Sequence, residues 1–146
     1  MASINYNEGI QSILDRDIDF VADTIKCMLV TSTYTPNKDD SFIDTGGASD
    51  AVDARVAGTT DQTIGTKSIG KDTTNDFAFL KGANVSFTGV PAGNTVVGAL
   101  VYKDTGTTTT SKVIAYHDVT DTPGNGGDIT IAWPSDANGG ITKFQL

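Results

Sequence analysis

The sequence contains few of the side chains that most often carry out chemistry. It has one cysteine, Cys27, one histidine, His117, and one glutamate, Glu8. A single cysteine excludes an internal disulfide and a thiolate metal cluster, and one histidine without cysteines does not make a zinc site. We therefore predict no metal site and no cofactor, and a buried, inert thiol for Cys27 in the apolar run "IKCMLV".

Long apolar runs and clusters of basic residues are also missing. No segment approaches the ~18 apolar residues that cross a bilayer, and "MASINYNEGI" lacks the basic region and apolar core of a signal peptide. The 10 Lys and Arg are scattered singly among 18 Asp and Glu, for a net charge of −8. No basic stripe is present to bind a polyanion. These features predict a chain assembled in the cytoplasm, with no direct nucleic-acid partner and no membrane partner.

Glycine, threonine and aspartate are abundant instead, and short β-branched or aromatic runs recur between turn signals. The chain has 146 residues, 16 of them glycine, and 38% of it is hydrophobic. This composition favours one all-β domain over residues 1–146, a mainly antiparallel β-sandwich or barrel-like fold with one short N-terminal helix. The predicted strands are "TIKCMLVTSTY", "DFAFLKGANVSFTGV", "TVVGALVYK", "VIAYHDV", "ITIAW" and "ITKFQL".

Alternation assigns faces within these strands. In "IKCMLV" it places Ile25, Cys27 and Leu29 on one face, with Met28 and Val30 on the other. In "VIAYHDV" one face is predicted to carry Val113, Ala115, His117 and Val119, and the opposite face Ile114, Tyr116 and Asp118.

The helix is predicted over residues 7–20. Its apolar stripe comprises Ile10, Ile13, Leu14 and Ile18, at helical spacing. Asn5, followed three residues later by Glu8, is typical of a capping box. Aspartates near the helix end predict that it stops before Asp23, because the helix dipole disfavours negative charge there.

Residues 38–76 form a long polar segment, with weak strand candidates at "DARVAG" and "QTIGTKSIG". A structureless loop of that length is uncommon in a compact domain. We expect short strands that pair at a sheet edge, or an arm held by a neighbouring subunit.

Possible catalytic and binding motifs are incomplete. His117 has Asp118 beside it, but on the opposite face of a strand, and no G-x-S-x-G motif accompanies it. "DDSFIDTGGASD" lacks EF-hand spacing, and "GTTTTSK" is not a phosphate-binding loop. Tyr34, Tyr102 and Tyr116 with Trp133 are the side chains of a possible sugar-stacking platform, although core packing is the favoured interpretation. The sequence predicts that the protein is not an enzyme.

The order of the segments carries a resemblance. A short helix leads into "DTIKCMLVTSTYTPN", and after a polar middle come "ALVYKDTG", "VIAYHDV" and "GGDITIAWPSDANGGITKF". This series resembles a family of small structural proteins encoded among the virion genes of tailed bacteriophages. In that family a helix precedes D-T-I-K-x-x-L-x-T-S-x-Y-T-P, and a Y-K-D-T-G hairpin, an I-x-Y-x-D strand and an I-x-W segment follow. The match covers both ends of the chain, whereas the middle has "GTTDQTIGTKSIG" where relatives carry G-Y-T-x-G-G.

The resemblance implies a virion component without catalytic residues. The favoured role is a capsid decoration (cement) protein that binds the outer surface of the head and stabilises contacts between capsid subunits. The alternative is a tail, neck or fibre-associated component that binds glycans. The partners implied are the major capsid protein and further copies of this chain, with a trimer favoured. The candidate subunit or capsid contacts lie in the N-terminal segment, in one strand end and at a hairpin tip: Ala2, Ser3, Ile4, Asn5, Tyr6, Tyr34, Thr107, Thr108 and Thr109.

Overall fold

The structure is a computed structural model that describes residues 2–47 and 50–145. It is built mainly from antiparallel strands and has one short α-helix near the N-terminus, which confirms the predicted all-β, sandwich-like class. In chain order the elements are β1 (Ile4–Asn5), α1 (Asn7–Leu14), β2 (Ile25–Val30), β3 (Gln62–Thr63), β4 (Ser68–Asp72), β5 (Phe77–Lys81), β6 (Val85–Phe87), β7 (Thr95–Lys103), β8 (Val113–Pro123), β9 (Ile129–Ile131) and β10 (Thr142–Phe144). Within the described ranges, no helix is long and apolar enough to span a bilayer.

The main sheet has five strands in the order β1-β8-β7-β2-β3. Its centre is the hairpin of β7 and β8, and β2 pairs antiparallel with the other edge of β7. A three-stranded sheet, β10-β5-β4, and the pair β6-β9 complete the fold. The central strands are buried on both faces, which explains why β7 reads as a nearly continuous apolar run.

Each face of the main sheet carries its own core. Ile25, Cys27 and Leu29 point into the first core, which the sheet shares with residues of β5, β6 and β9. Met28 and Val30 point into a second core on the opposite face. The alternation predicted for β2 is therefore confirmed.

The second core is covered by irregular chain rather than by another sheet. We define the cover segment as residues 31–47 and 50–55. Its apolar side chains Tyr34, Ile43, Ala51 and Ala54 are buried against the sheet. A backbone hydrogen bond from Thr31 N to Ala54 O at 2.9 Å joins its two ends, and one from Ile43 N to Ser111 O at 3.0 Å attaches its middle to the chain before β8. Part of the polar segment thus completes the fold of its own chain.

The helix is shorter than predicted and turns a different face inward. It ends at Leu14 rather than at residue 20, because Asp15 caps it and Arg16 adopts a positive φ of 68°. The residues buried within it are Gly9 and Ser12. Of the predicted stripe, Ile13 packs half-buried against the first core and Ile18, beyond the helix, is buried in it, whereas Leu14 is exposed. A Cβ added at Gly9 would lie 2.6 Å from the Cα of Ile114, so the helix backbone rests directly on β8.

The predicted capping box is also absent. The N-cap residue is Tyr6, which makes no capping hydrogen bond through its side chain. Glu8 instead forms an ion pair with Lys112, 2.7 Å away.

A β-bulge corrects the faces predicted for β8. Val101 pairs with Ala115, whereas Tyr102 pairs with Val113, so Ile114 is an extra residue. Val113 therefore points into the second core, and Ile114 points with Ala115 into the first. Beyond the bulge, His117 shares a face of β8 with Ala115, as predicted from the alternation.

The weak strand candidates have different outcomes. "QTIGTKSIG" supplies β3 and the first residues of β4, whereas "DARVAG" contributes only an isolated bridge, between Arg55 and Val30. The strand β1 was not predicted, because two residues are too few to show a periodic pattern in the sequence.

Candidate functional site

The lone histidine is held in structural contacts. His117 Nε2 lies 2.7 Å from the carbonyl oxygen of Ile141. Because a carbonyl can only accept, Nε2 carries the proton. The imidazole meets the Trp133 ring edge to face at 5.1 Å, and burial lowers the pKa of His117 below its usual value. The ring thereby links β8 to the residue that precedes β10.

The tyrosines form part of the core. Tyr6, Tyr34, Tyr102 and Tyr116 are at most 3% exposed. The hydroxyl oxygens of Tyr6 and Tyr34 are 2.5 Å apart, and Tyr34 also donates to Asp40 at 3.5 Å. Burial raises the pKa of both Tyr6 and Tyr34. The preference for core packing over a sugar-stacking platform is confirmed for Tyr34, Tyr102 and Tyr116.

The predicted contact residues fall into two separate regions and a buried group. Ala2 and Ser3 are exposed at the N-terminus, where Ile4 and Asn5 are half-buried. At the hairpin tip Thr107 and Thr109 are exposed, while the half-buried Thr108 donates to Asp44 at 2.8 Å. Tyr6 and Tyr34 are buried, so their side chains offer no surface to a partner in the isolated chain. The structure does not bring the two exposed regions together.

A polar pocket of about 310 Å³ lies beside the hairpin tip. Arg55 donates two hydrogen bonds to Asp61, at 2.9 and 3.0 Å, and the Tyr102 hydroxyl donates to the same carboxylate at 2.7 Å. Lys26 pairs with Asp104 across 2.6 Å. The charged groups of this pocket therefore neutralise one another.

The aspartates of the "DDSFIDTGGASD" region act as turn acceptors. Asp50 accepts from Thr45 Oγ1 at 2.6 Å and from Gly47 N at 2.8 Å, and Asp44 accepts from Gly46 N at 3.2 Å. Among residues 2–47 and 50–145, no three His, Cys, Asp or Glu side chains converge in a way that suits a metal ion.

An apolar groove beside α1 is the surface that these internal contacts leave open. We define the α1 groove by its apolar lining, Ile4, Ile10, Leu14 and Phe144, and by the lysines Lys38 and Lys143 that also line it; its volume is about 630 Å³. Leu14 is 75% exposed, the highest value among the large hydrophobic side chains described. A second shallow depression, on the outer face of α1, continues the apolar surface around Ile10 and Leu14.

The α1 groove exists because Gly9 and Ser12 are the residues of α1 that are buried. The i, i+4 pair Ile10 and Leu14 is consequently left facing outward. Phe144 comes from the opposite end of the chain, and Asn5 Nδ2 joins the two ends by donating to Lys143 O at 3.0 Å. The sequence did not predict this site, although three predicted contact residues, Ser3, Ile4 and Asn5, line it. The sequence signal for the groove is the apolar pair Ile10 and Leu14, on a short helix whose buried residues, Gly9 and Ser12, are both small.

Comparison with protein-family models, with curated proteins and with solved structures finds no match to this chain.

Proposed function

We propose that this protein is a structural component of a bacteriophage particle, a capsid decoration (cement) protein that binds the outer surface of the head and stabilises contacts between capsid subunits. The role is adhesive rather than catalytic, and the major capsid protein is the partner. The protein is assembled in the host cytoplasm and resides on the head surface. The observation that carries the proposal is the apolar α1 groove, in which Leu14 is left 75% exposed beside a rigid β body.

Exposed apolar side chains support protein binding because water around them is released on contact. A decoration protein makes many modest contacts that are repeated over a shell, so no single contact has to be strong.

The residues that could suggest chemistry support the same role. His117 bonds a backbone carbonyl, and Asp61 holds Arg55 and Tyr102. Each of these contacts ties separate parts of the chain together. We therefore assign them to stability.

The alternative role is a glycan-binding tail or fibre component. The tyrosines that would stack on a sugar are buried in the core, so they are not accessible to a glycan. Trp133 lines an open pocket of about 370 Å³, but its Nε1 donates to Ala83 O at 2.9 Å and is committed to the fold. The decoration role is therefore the better supported of the two.

Copy number in purified particles tests the proposal. Heads and tails from the phage whose genome encodes the chain are separated, and each fraction is quantified by mass spectrometry against the major capsid protein. We expect many copies per head, in a fixed ratio to the capsid subunit. A handful of copies per particle, or recovery in the tail fraction, would overturn the decoration role.

A further inference from the structure

We propose that the α1 groove binds an extended, acidic segment of the capsid subunit, with apolar side chains of that segment seated on Ile10, Leu14 and Phe144. The identity of the partner rests on the proposed function. The choice of groove and the chemistry of the segment rest on the structure.

Shape and size favour a linear segment over a second folded body. A standard interface covers about 800 Å² per partner. The α1 groove offers four apolar side chains, of which Ile4, Ile10 and Phe144 are already half-buried. An apolar surface of that extent fits one or two anchor side chains of an extended peptide, not the face of a dimer.

The charges in the groove favour an acidic segment. Lys38 and Lys143 line it, and neither has a carboxylate within ion-pair distance among residues 2–47 and 50–145. Lys143 Nζ stands 5.0 Å from the centre of the Phe77 ring, so its position is fixed while its charge is left without a counter-ion.

Within the part of the chain that the structure describes, no carboxylate lines the groove itself, although Asp15 borders the adjacent depression and Asp39 accepts from Asn7 Nδ2 at 2.8 Å. Lys112 pairs with Glu8 at 2.7 Å and with Asp17 at 2.5 Å. The lysines of the groove therefore act on a bound segment at short range, within the Debye length of about 8 Å at physiological salt, despite the net charge of −8.

The backbone at the groove suits an extended partner. β1 and β10 stand at the edges of their sheets, where one row of backbone groups is left without a strand partner. The Asn5 to Lys143 bond joins these two edges where they meet at the groove. An extended segment placed there lies beside edge strands that can hydrogen-bond its backbone.

Binding to undecorated heads tests the proposal, with two matched sets of variants. Leu14→Asp is compared with Ile69→Asp, which places the same charge on another exposed apolar residue outside the groove. Lys38→Glu and Lys143→Glu, each as a single variant, are compared with Lys71→Glu, which makes the same charge change at an exposed lysine on β4. Circular dichroism verifies that each variant is folded, which the exposure of these side chains favours.

We expect Leu14→Asp to bind heads about tenfold or more weakly than the wild type, and Ile69→Asp to bind like the wild type. Lys38→Glu and Lys143→Glu each weaken binding and flatten its salt dependence, while Lys71→Glu leaves both unchanged. If the wild type does not bind heads, the decoration role is overturned. If it binds and Leu14→Asp binds as tightly as Ile69→Asp, the assignment of the groove is overturned alone.

A photo-crosslinking amino acid in place of Leu14 identifies the segment directly. We expect crosslinks to a stretch of the capsid subunit that contains aspartate or glutamate beside apolar residues. Crosslinks to a basic stretch, or to a second copy of this chain, would refute the proposed occupant.

Discussion

Gly98 gives the sharpest test of how the second core is filled. The Tyr116 ring occupies the space beside it, and a Cβ added at Gly98 would lie within 3.0 Å of three atoms of that ring. Ordinary carbon contacts are about 3.5–4.0 Å, so the ring has to move by roughly 1 Å. Tyr116 is 1% exposed and packs against Tyr34 at 6.0 Å between ring centres, so the ring has no free space to enter.

The magnitude follows from two opposing contributions. Overfilling a well-packed core costs about 1–3 kcal/mol. Replacing glycine with alanine also restricts the unfolded chain, which stabilises the fold by about 0.4–1 kcal/mol. A control variant, Gly65→Ala, shares the second contribution but not the first, because no atom lies within 4 Å of the added Cβ.

We therefore expect Gly98→Ala to unfold more easily than Gly65→Ala by about 1–3 kcal/mol. Urea denaturation followed by Trp133 fluorescence measures the difference. In the Tyr116→Leu background the aromatic ring is absent, so Gly98→Ala lowers the free energy of unfolding by a smaller amount. Equal stabilities for Gly98→Ala and Gly65→Ala, within about 0.5 kcal/mol, would refute this account of the core.

Three further predictions concern the helix, the histidine and the thiol. Gly9→Ala lowers the free energy of unfolding in urea although alanine favours helices, since the added methyl group meets the backbone of Ile114; a gain in stability would contradict the docking of α1. Burial lowers the pKa of His117 in the fold, so its contribution to stability is complete above about pH 6.5 and is lost as the pH falls below that value. His117→Gln removes this pH dependence in denaturation curves measured from pH 5 to pH 7, and an unchanged slope would refute the assignment. Cys27 is fully buried, with a pKa raised by burial, so a thiol reagent modifies it only as fast as the protein unfolds; rapid labelling of the native protein would show that β2 opens locally.

The sequence predicted the strands well because their side chains alternate between two apolar environments. β2, β5, β7 and β10 all lie within predicted runs. The bulge at Ile114 was not predictable, because one extra residue in a uniformly apolar run leaves no trace in periodicity. A shift of register by one residue moves the side chains on one side of the bulge to the opposite face of the sheet, and here it moves Val113.

The helix shows a different limit. Of the predicted apolar stripe, Ile13 and Ile18 pack against the first core, but the contact of the helix backbone with β8 is made at Gly9. Close backbone approach depends on small residues and is invisible to a hydrophobic pattern. The α1 groove results from this close approach and was therefore not predicted. The N-terminal contact residues that the sequence did predict nevertheless lie at the groove.

The structure of the cover segment was hard to predict from the sequence because its buried residues are few and irregularly spaced. Ile43, Ala51 and Ala54 show neither strand nor helix period. Their burial depends on a sheet face assembled from β2, which directly precedes the segment, and from β7 and β8, which are far away along the chain. Such a segment acquires its structure from tertiary contacts alone.

That arrangement divides the protein into layers with different resistance to opening. The first core lies between extended sheets, whereas the second is closed by irregular chain, attached in part by the isolated bridge of Phe42 to Lys112 and by the bond from Ile43 N to Ser111 O. Such a layer can detach without separating the sheets, so the amide protons of the cover segment exchange with solvent sooner than those of β7. A binding partner that rested on the cover segment would slow this exchange and raise the heat resistance of the protein.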